Sequence, residues 1–496
     1  MNIIHRSITT RLSGLSKNTL FKNSSWGIIS QISQMLFLTL FFVILARKYP
    51  TEIFAKYIVA NAIYQLVTAF STMGLSQWFI REFIDTVDKD ALISKFIKMQ
   101  IYFGIAFYIL NIGLAFLIYQ DQFTRLLIIL LGVNVIFDNL INGIKSLNIA
   151  NFEQKKTFII LTVESVLKFF AGCVLFLYPF SIITLSIILI GIRFLSLNLF
   201  LSFGSSKLIT LKTLWRCSVT YRDMKSLVML NWAFVIIGGV SIINWRLSNI
   251  IISKVLTAFD VANYEISFKI FSIAQILPVV ISTSVFPLLV KLYSNHDKSE
   301  FFNFYKKVHV YYLLFGLLAY TFIYSFSDKL IPIAFGNTYL NNAVYTRQMF
   351  LTILVFPTAL LQANVLIAMK LEKQDMLFNI IALVVNLSVC LTGVLYIKSL
   401  SVVNYSVFLS FLVFHISQDV LLLRRKIVSP VSVFKFYIVT ICFISAYILL
   451  SKLLNPYLLF VLTWVITLMV TLGGKKIRTY LVKTDQMELS NNIKSA

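Results

Sequence analysis

The sequence predicts an all-α polytopic membrane protein with about 14 transmembrane helices. Hydrophobic residues make up 58% of the 496-residue chain, and the mean hydropathy is +0.85. Apolar runs recur from one end to the other, each close to the roughly 20 residues that a helix needs to cross a hydrocarbon core. Lys and Arg, which give a formal net charge of +24, lie mostly between these runs. No segment is left over for a soluble domain.

The apolar runs define fourteen candidate spans. They cover residues 25–46, 57–76, 99–119, 126–144, 158–178, 181–203, 228–250, 264–290, 308–331, 346–369, 376–397, 403–423, 436–451 and 456–473. An even number of spans places both termini on the same side of the membrane. The basic segment from Met1 to Lys22 leads into the first span without a small-residue cleavage site, so we expect no removable signal peptide.

The distribution of basic residues orients the chain. If both termini are cytoplasmic, the tails and loops on that side carry 31 of the 44 Lys and Arg residues, and the opposite side carries 10. Cytoplasmic loops of membrane proteins are enriched in Lys and Arg, so this asymmetry predicts cytoplasmic termini.

One internal repeat supports this topology. Arg47–Ile63 aligns without gaps on Lys254–Ile270 at an offset of 207 residues, with Ala, Tyr and Ile at shared positions. Six spans separate the two copies, so the repeat is parallel. We therefore divide the chain into an N-terminal lobe (1–226), a C-terminal lobe (227–424) and a last helix pair with a basic tail (425–496).

The longest loop, Gly204–Leu227, is basic and lies on the predicted cytoplasmic side. Its cations alternate with Leu211, Leu214 and Trp215. This pattern fits a segment lying on anionic lipid headgroups. It fits a solvated linker between the two lobes equally well.

Sequence motifs for catalysis are weak. Gly473-Gly474-Lys475 lacks the rest of a phosphate-binding loop, and neither the four His nor the four Cys residues have metal-ligand or disulfide spacing. Asp88-Lys89-Asp90 matches the DxD pattern of glycosyltransferases, but it lies in a short charged loop with no nucleotide-binding domain around it. We expect no cofactor, no metal and no enzyme activity, and we assign the positive charge to orientation in the membrane rather than to nucleic-acid binding.

Ionisable residues inside spans are the candidate functional residues, because charges are costly in lipid and face a bundle interior or a water-filled cavity. Four cations could bind an anionic substrate such as a diphosphate: Lys168, Arg193, Lys269 and Arg246. Three carboxylates are candidates for ion coupling: Asp138, Glu164 and Asp419. Asp419 lies close to the cytoplasmic end of its span, where snorkelling to the membrane interface is the simpler interpretation.

Structural alternatives exist for several of these charges. Glu164 and Lys168 are four residues apart and could form a pair on one helix face. Arg193 has no acidic residue one turn away on its own helix, and it could pair across helices with a carboxylate such as Asp138. Glu265 lies four residues before Lys269, but we expect it to reach the headgroup region and to leave Lys269 deeper and unpaired.

Several segments resemble bacterial polysaccharide flippases, including the O-antigen exporters. They are Ile44-Leu45-Ala46-Arg47, Phe54-Ala55-Lys56-Tyr57, Met73-Gly74-Leu75-Ser76-Gln77 with Arg81-Glu82, Asn244-Trp245-Arg246-Leu247-Ser248-Asn249 with Ala262-Asn263-Tyr264, Ile276-Leu277-Pro278 with Phe286-Pro287, and Phe335-Gly336-Asn337-Thr338-Tyr339. The chain departs from the family pattern at Pro50-Thr51, where Gly-Pro is frequent, and it lacks an acidic residue near Asn249.

The resemblance implies membership of the multidrug/oligosaccharidyl-lipid/polysaccharide exporter superfamily, with two six-helix lobes around a central cavity plus two C-terminal helices. It implies an inner-membrane flippase, driven by an ion gradient, that moves undecaprenyl-diphosphate-linked oligosaccharide for O-antigen or a similar polymer. Membrane lipids, a polymerase and a chain-length regulator are the implied partners. The alternatives are a multidrug exporter of the same superfamily and a membrane polymerase or ligase of the same pathway.

Overall fold

A computed structural model describes residues 17–151, 153–203, 218–294 and 298–469, and within this part of the chain every regular element is a helix. The helices are α1 (Lys17–Lys48), α2 (Thr51–Ser71), α3 (Leu75–Asp85), α4 (Lys89–Ile118), α5 (Gln122–Gly132), α6 (Asn134–Ala150), α7 (Gln154–Val174), α8 (Ile182–Ser202), α9 (Tyr221–Val255), α10 (Ala258–Ser294), α11 (Lys298–Phe335), α12 (Asn342–Phe350), α13 (Phe356–Ala368), α14 (Glu372–Ile397), α15 (Leu400–Arg424), α16 (Pro430–Leu450) and α17 (Pro456–Met469).

The predicted fold class is confirmed. Counting α5–α6 and α12–α13 as one span each, twelve helical segments are long and apolar enough to cross a membrane. The 35-residue α9 and the shorter apolar α17 bring the helical spans of the described chain to fourteen. Predictions for the first sixteen residues, for residues 204–217 with most of the basic linker, and for the tail after residue 469 lie outside the described residues.

Two segments expected to be loops contain helix. The charged segment after the second span forms α3, an amphipathic helix whose mixed composition hides it from a hydropathy search. The carboxylate of Asp88 accepts a hydrogen bond from the Ala91 amide (3.0 Å) and caps α4, which gives the DxD-like motif a structural role. The basic loop ends earlier than predicted, because Thr220 and Asp223 form a capping box that starts α9 at Tyr221.

The internal repeat coincides with equivalent structural positions. α2 begins at Thr51 and α10 begins at Ala258, which reproduces the offset of 207 residues. The fourth span of each half is interrupted, between α5 and α6 at Val133 and between α12 and α13 by a 3-10 turn at Leu351–Leu354. Below, the spans before and after Thr220 are called the N-terminal half and the C-terminal half.

Close packing at the first of these breaks gives a stability prediction. A Cβ atom at Gly132 would overlap the Asn111 amide, which donates a hydrogen bond to the Ile128 carbonyl (2.9 Å). We expect Gly132→Ala to lower the free energy of unfolding by about 2 kcal/mol, because overpacking displaces a buried polar group. Thermal unfolding in detergent measures this. Gly113→Ala in α4 is the matched control, because a Cβ there meets no atom within 4 Å, and an equal loss in both variants would contradict the packing argument.

Candidate functional site

A cavity of about 400 Å³ lies between the two halves. The N-terminal half lines it with residues from α1, α2, α5, α6, α7 and α8, and the C-terminal half with residues from α9 and α10. All four cations predicted to bind substrate face this one cavity: Lys168, Arg193, Arg246 and Lys269. We call it the central cavity.

In the N-terminal half, Arg193 joins three helices through ion pairs. Its Nε atom donates to Oδ1 of Asp138 (2.6 Å), and its Nη1 atom donates to Oε2 of Glu164 (2.6 Å). Glu164 also accepts from Lys168 Nζ (2.6 Å), one turn along α7. The Tyr64 hydroxyl donates to the other oxygen of Asp138. Each carboxylate is buried, and each has at least one cationic partner.

The C-terminal half contributes a second cluster. Arg246 Nη1 donates to both oxygens of Glu265 at 2.8 and 3.1 Å, and the Asn249 amide donates to Glu265 Oε2 (2.7 Å). The Arg246 guanidinium also lies 4.9 Å from the centre of the Phe268 ring. The expectation that Glu265 reaches the headgroup region is therefore wrong. Its side chain is buried at the cavity wall, because Arg246 and Asn249 supply the hydrogen bonds that water would otherwise provide.

Lys269 differs from the other three cations. Within the described ranges, no carboxylate oxygen lies within 4.0 Å of its Nζ atom, and its nearest aromatic partner is the Phe42 ring at 5.8 Å. Three of the four cavity cations pair with Asp138, Glu164 or Glu265. Lys269 is the cavity cation for which the described residues provide no such pair.

The structure brings together most of the predicted site residues and separates one of them. Asp138 and Glu164 belong to the Arg193 network beside the cavity. Asp419 lies elsewhere, on α15, where it contacts α13 and α16. Sequence reasoning did not select Tyr64 or Asn249 as site residues, because uncharged polar residues are common in membrane helices; Asn249 was noted only as part of a segment that resembles the family.

Two crossed contacts join the halves at one end of the bundle, which we call the Pro50 end. Arg47, in the last turn of α1, donates from Nε to the Ala334 carbonyl at the end of α11 (2.7 Å) and from Nη2 to the Ile333 carbonyl. Lys254, in the last turn of α9, donates to the Ile118 carbonyl at the end of α4. Arg47 and Lys254 are the cations that the internal repeat aligns. Each half thus uses the end of its first span to hold the third span of the other half.

The sequence matches one known family. Residues 44–345, which are 302 of the 496 residues, match the family described as polysaccharide biosynthesis protein. The chain belongs to that family. This family agrees with the resemblance of its sequence motifs to polysaccharide flippases. No curated protein sequence matches it at a significant level.

Solved structures show which fold this family member has. The lipid II flippase MurJ in an inward closed conformation superposes with a TM-score of 0.71 at 15% identity, covering 90% of this chain and 98% of MurJ. An inward-facing multidrug resistance MATE transporter of the MOP superfamily gives 0.68 at 12%, covering 79% and 94%. A MOP superfamily transporter from Pyrococcus furiosus gives 0.57 at 12%, covering 82% and 95%. The chain therefore has the fold of MOP superfamily transporters.

Proposed function

We propose that this protein is a flippase that moves an undecaprenyl-diphosphate-linked oligosaccharide, an O-antigen or similar repeat unit, from the cytoplasmic to the periplasmic leaflet of the bacterial inner membrane. Family membership and the MOP superfamily fold support the transporter class. The observation that carries the substrate class is the central cavity, because both halves contribute cations to it and Lys269 has no ion-pair partner there.

The cavity wall offers groups for both parts of such a headgroup. A diphosphate is attracted strongly to unpaired ammonium groups in a site of low dielectric constant, so Lys269 is the first contact and Arg246 the second. Neutral polar side chains, among them Asn61, Gln65 and Asn134, also line the cavity and suit sugar hydroxyl groups. The lipid tail stays in the bilayer during transfer.

Arg193 and Lys168 line the cavity, but each already forms an ion pair with a carboxylate of the N-terminal half. A diphosphate that contacts either cation competes with Asp138 or Glu164, so binding redistributes charge within the N-terminal half. The ion-coupling role of these two carboxylates stays a prediction, and in the structure both are neutralised by cations.

The crossed contacts support alternating access. The basic-residue distribution puts the Pro50 end on the periplasmic side, so these contacts close the periplasmic exit. We expect Arg47→Gln with Lys254→Gln to raise the population open at that end roughly tenfold, because hydrogen bonds made by charged donors to helix-terminal carbonyls are lost. Electron double resonance measures this opening. After replacement of the native cysteines, nitroxide labels are attached at Leu177 and Leu340, which are exposed at the Pro50 end of different halves. Opening of that end increases the distance between the two labels.

Lys48→Gln is the matched control for this experiment. Lys48 lies next to Arg47, but its ammonium contacts the Phe176 ring of the same half (4.1 Å). We expect no change in the distance distribution for this variant. A double variant that keeps the wild-type distribution would show that these contacts do not hold the exit closed.

Accumulation of lipid-linked repeat units in a strain that lacks the gene tests the flippase proposal. Single units should remain on the cytoplasmic leaflet and should clear when the intact gene is restored. Single units that reach the periplasm without being polymerised would overturn the proposal in favour of a polymerase or ligase. Normal surface polysaccharide together with increased drug sensitivity would overturn it in favour of a multidrug exporter.

A further inference from the structure

A second buried polar cluster surrounds Asp419, outside the central cavity. Its Oδ1 atom accepts from the Gln362 amide of α13 (2.6 Å), and its Oδ2 atom accepts from the Tyr437 hydroxyl of α16 (2.8 Å). His415, one turn earlier on α15, places Nδ1 2.7 Å from that hydroxyl and 3.1 Å from Oδ2. Three helices therefore converge on one carboxylate.

This carboxylate differs from those in the central cavity in its charge balance. Asp138, Glu164 and Glu265 each have a Lys or Arg partner, whereas no Lys or Arg nitrogen in the described chain lies within 4.0 Å of Asp419. Its side chain is nevertheless buried. A buried negative charge without a fixed cation is costly, and a mobile cation is the simplest means of neutralising it.

The hydrogen-bond directions favour a proton over a metal ion. Asp419 is the acceptor in its hydrogen bonds with Gln362 and Tyr437, whereas a sodium ion requires oxygen lone pairs that point towards it. The Tyr437 hydroxyl donates to Asp419, so it accepts from His415 Nδ1–H. Among the residues that the structure describes, His415 Nε2, fully buried, has no hydrogen-bond partner. Its lone pair is therefore available.

A cavity of about 450 Å³ reaches the cluster at Asp419. Asp419 and His309 line it, together with Lys306 near the start of α11 and with Ser429 and Lys435 around the start of α16. The basic-residue distribution puts these helix starts on the cytoplasmic side. The titratable and charged groups that face the cluster come from four helices: Tyr305, Lys306 and His309 on α11, Asp375 on α14 through Gln418, His415 on α15, and Lys435 and Tyr437 on α16.

We propose that His415, Tyr437 and Asp419 form a proton-binding site that exchanges with the cytoplasmic side and couples the proton gradient to transport. One proton adds to the Nε2 lone pair of His415, and no other bond forms or breaks. The resulting imidazolium lies 3.1 Å from the carboxylate, so the net charge of the cluster changes from −1 to zero. Tyr437 extends this change to α16, the first of the last two helices. The coupling step rests on the proposed flippase function, whereas proton binding does not.

Nitrogen NMR of histidine-labelled protein in lipid nanodiscs tests proton binding without any substrate. The chain has four histidines, so His415→Gln identifies the His415 signals. As the pH is lowered, we expect these signals to change from neutral imidazole to imidazolium. Asp419→Asn should abolish the imidazolium signal under the conditions in which wild type shows it. Asp328→Asn is the matched control, since it makes the same chemical change at an exposed carboxylate, and it should leave the signal unchanged.

If Asp419→Asn fails to fold, the wild-type titration alone tests proton binding at His415. A His415 signal that stays neutral throughout, or that titrates equally in Asp419→Asn, would overturn the site.

Coupling is tested in proteoliposomes that carry extracted undecaprenyl-diphosphate-linked oligosaccharide. A pH gradient should accelerate flipping by wild type at least about tenfold and leave Asp419→Asn unaffected. Wild-type flipping that ignores the gradient would overturn the coupling while the flippase stands. Titration of His415 without any flipping would refute the proposed function and leave the proton site intact.

Discussion

Replacement of Arg193 with methionine is expected to lower the free energy of unfolding by about 4 kcal/mol, because it leaves a carboxylate buried without a cation. Glu164 retains Lys168 as a partner, but Asp138 would keep, of its hydrogen-bond partners among the described residues, the Tyr64 hydroxyl. Methionine fills much of the volume of the arginine stem, so loss of charge rather than loss of packing dominates. Thermal unfolding of the purified protein measures the effect.

Two further variants separate charge from packing in this experiment. Asp138→Asn combined with Arg193→Met removes the unpaired charge, and it should recover most of the lost stability. Arg347→Met breaks an ion pair whose carboxylate, on Asp328, is 59% exposed, and it should cost less than about 1 kcal/mol. Equal losses in Arg193→Met and in the double variant would show that Arg193 acts through packing.

Lys269→Ala is expected to reduce flipping roughly 30-fold while leaving folding intact. The ammonium has no carboxylate partner in the described structure, so its removal leaves no buried charge unpaired. A hydrogen bond to a charged group contributes about 2 kcal/mol. If Lys269 binds the diphosphate during transfer but not while the substrate is still in the membrane, loss of this bond corresponds to a roughly 30-fold lower rate. Transfer of lipid-linked oligosaccharide in proteoliposomes measures it.

Two control variants accompany Lys269→Ala, one that keeps a positive charge at position 269 and one that removes a lysine elsewhere. Lys269→Arg retains a cation at the cavity wall and should keep a substantial part of the activity. Lys373→Ala removes an exposed lysine at the start of α14, away from the cavity, and should flip at the wild-type rate. Wild-type activity in Lys269→Ala would show that the unpaired ammonium of Lys269 does not bind substrate.

Much of the fold follows from hydropathy, because a membrane helix must satisfy its backbone internally and present apolar side chains to lipid. This requirement predicts the spans, and the repeat predicts the offset of 207 residues between the starts of α2 and α10, although both helices begin six residues earlier than the predicted spans. Selecting charged residues within spans also finds the four cations of the central cavity. Their cost in lipid forces them to face the interior.

The partners of these charges could not be predicted. Arg193 pairs with carboxylates on two other helices, and helix neighbours are set by packing that one sequence does not reveal. Glu265 was assigned to the headgroup region because it lies near the start of a span, but Arg246 holds it at the cavity wall. The amphipathic α3 was missed because polar and charged residues interrupt its short apolar stretches and keep the segment below the hydropathy of a span.

The crossed contacts also bear on how the two halves originated. Arg47 and Lys254 occupy aligned positions, and each holds the end of the third span in the opposite half. A half-length ancestor that paired with a second copy of itself about a twofold axis would have made both contacts with a single cation, since every contact across such an axis occurs twice. After fusion of two gene copies, the two positions could diverge, one to arginine and the other to lysine, without loss of either contact. The crossed contacts thus have the symmetry that the subunit interface of such a homodimer would have.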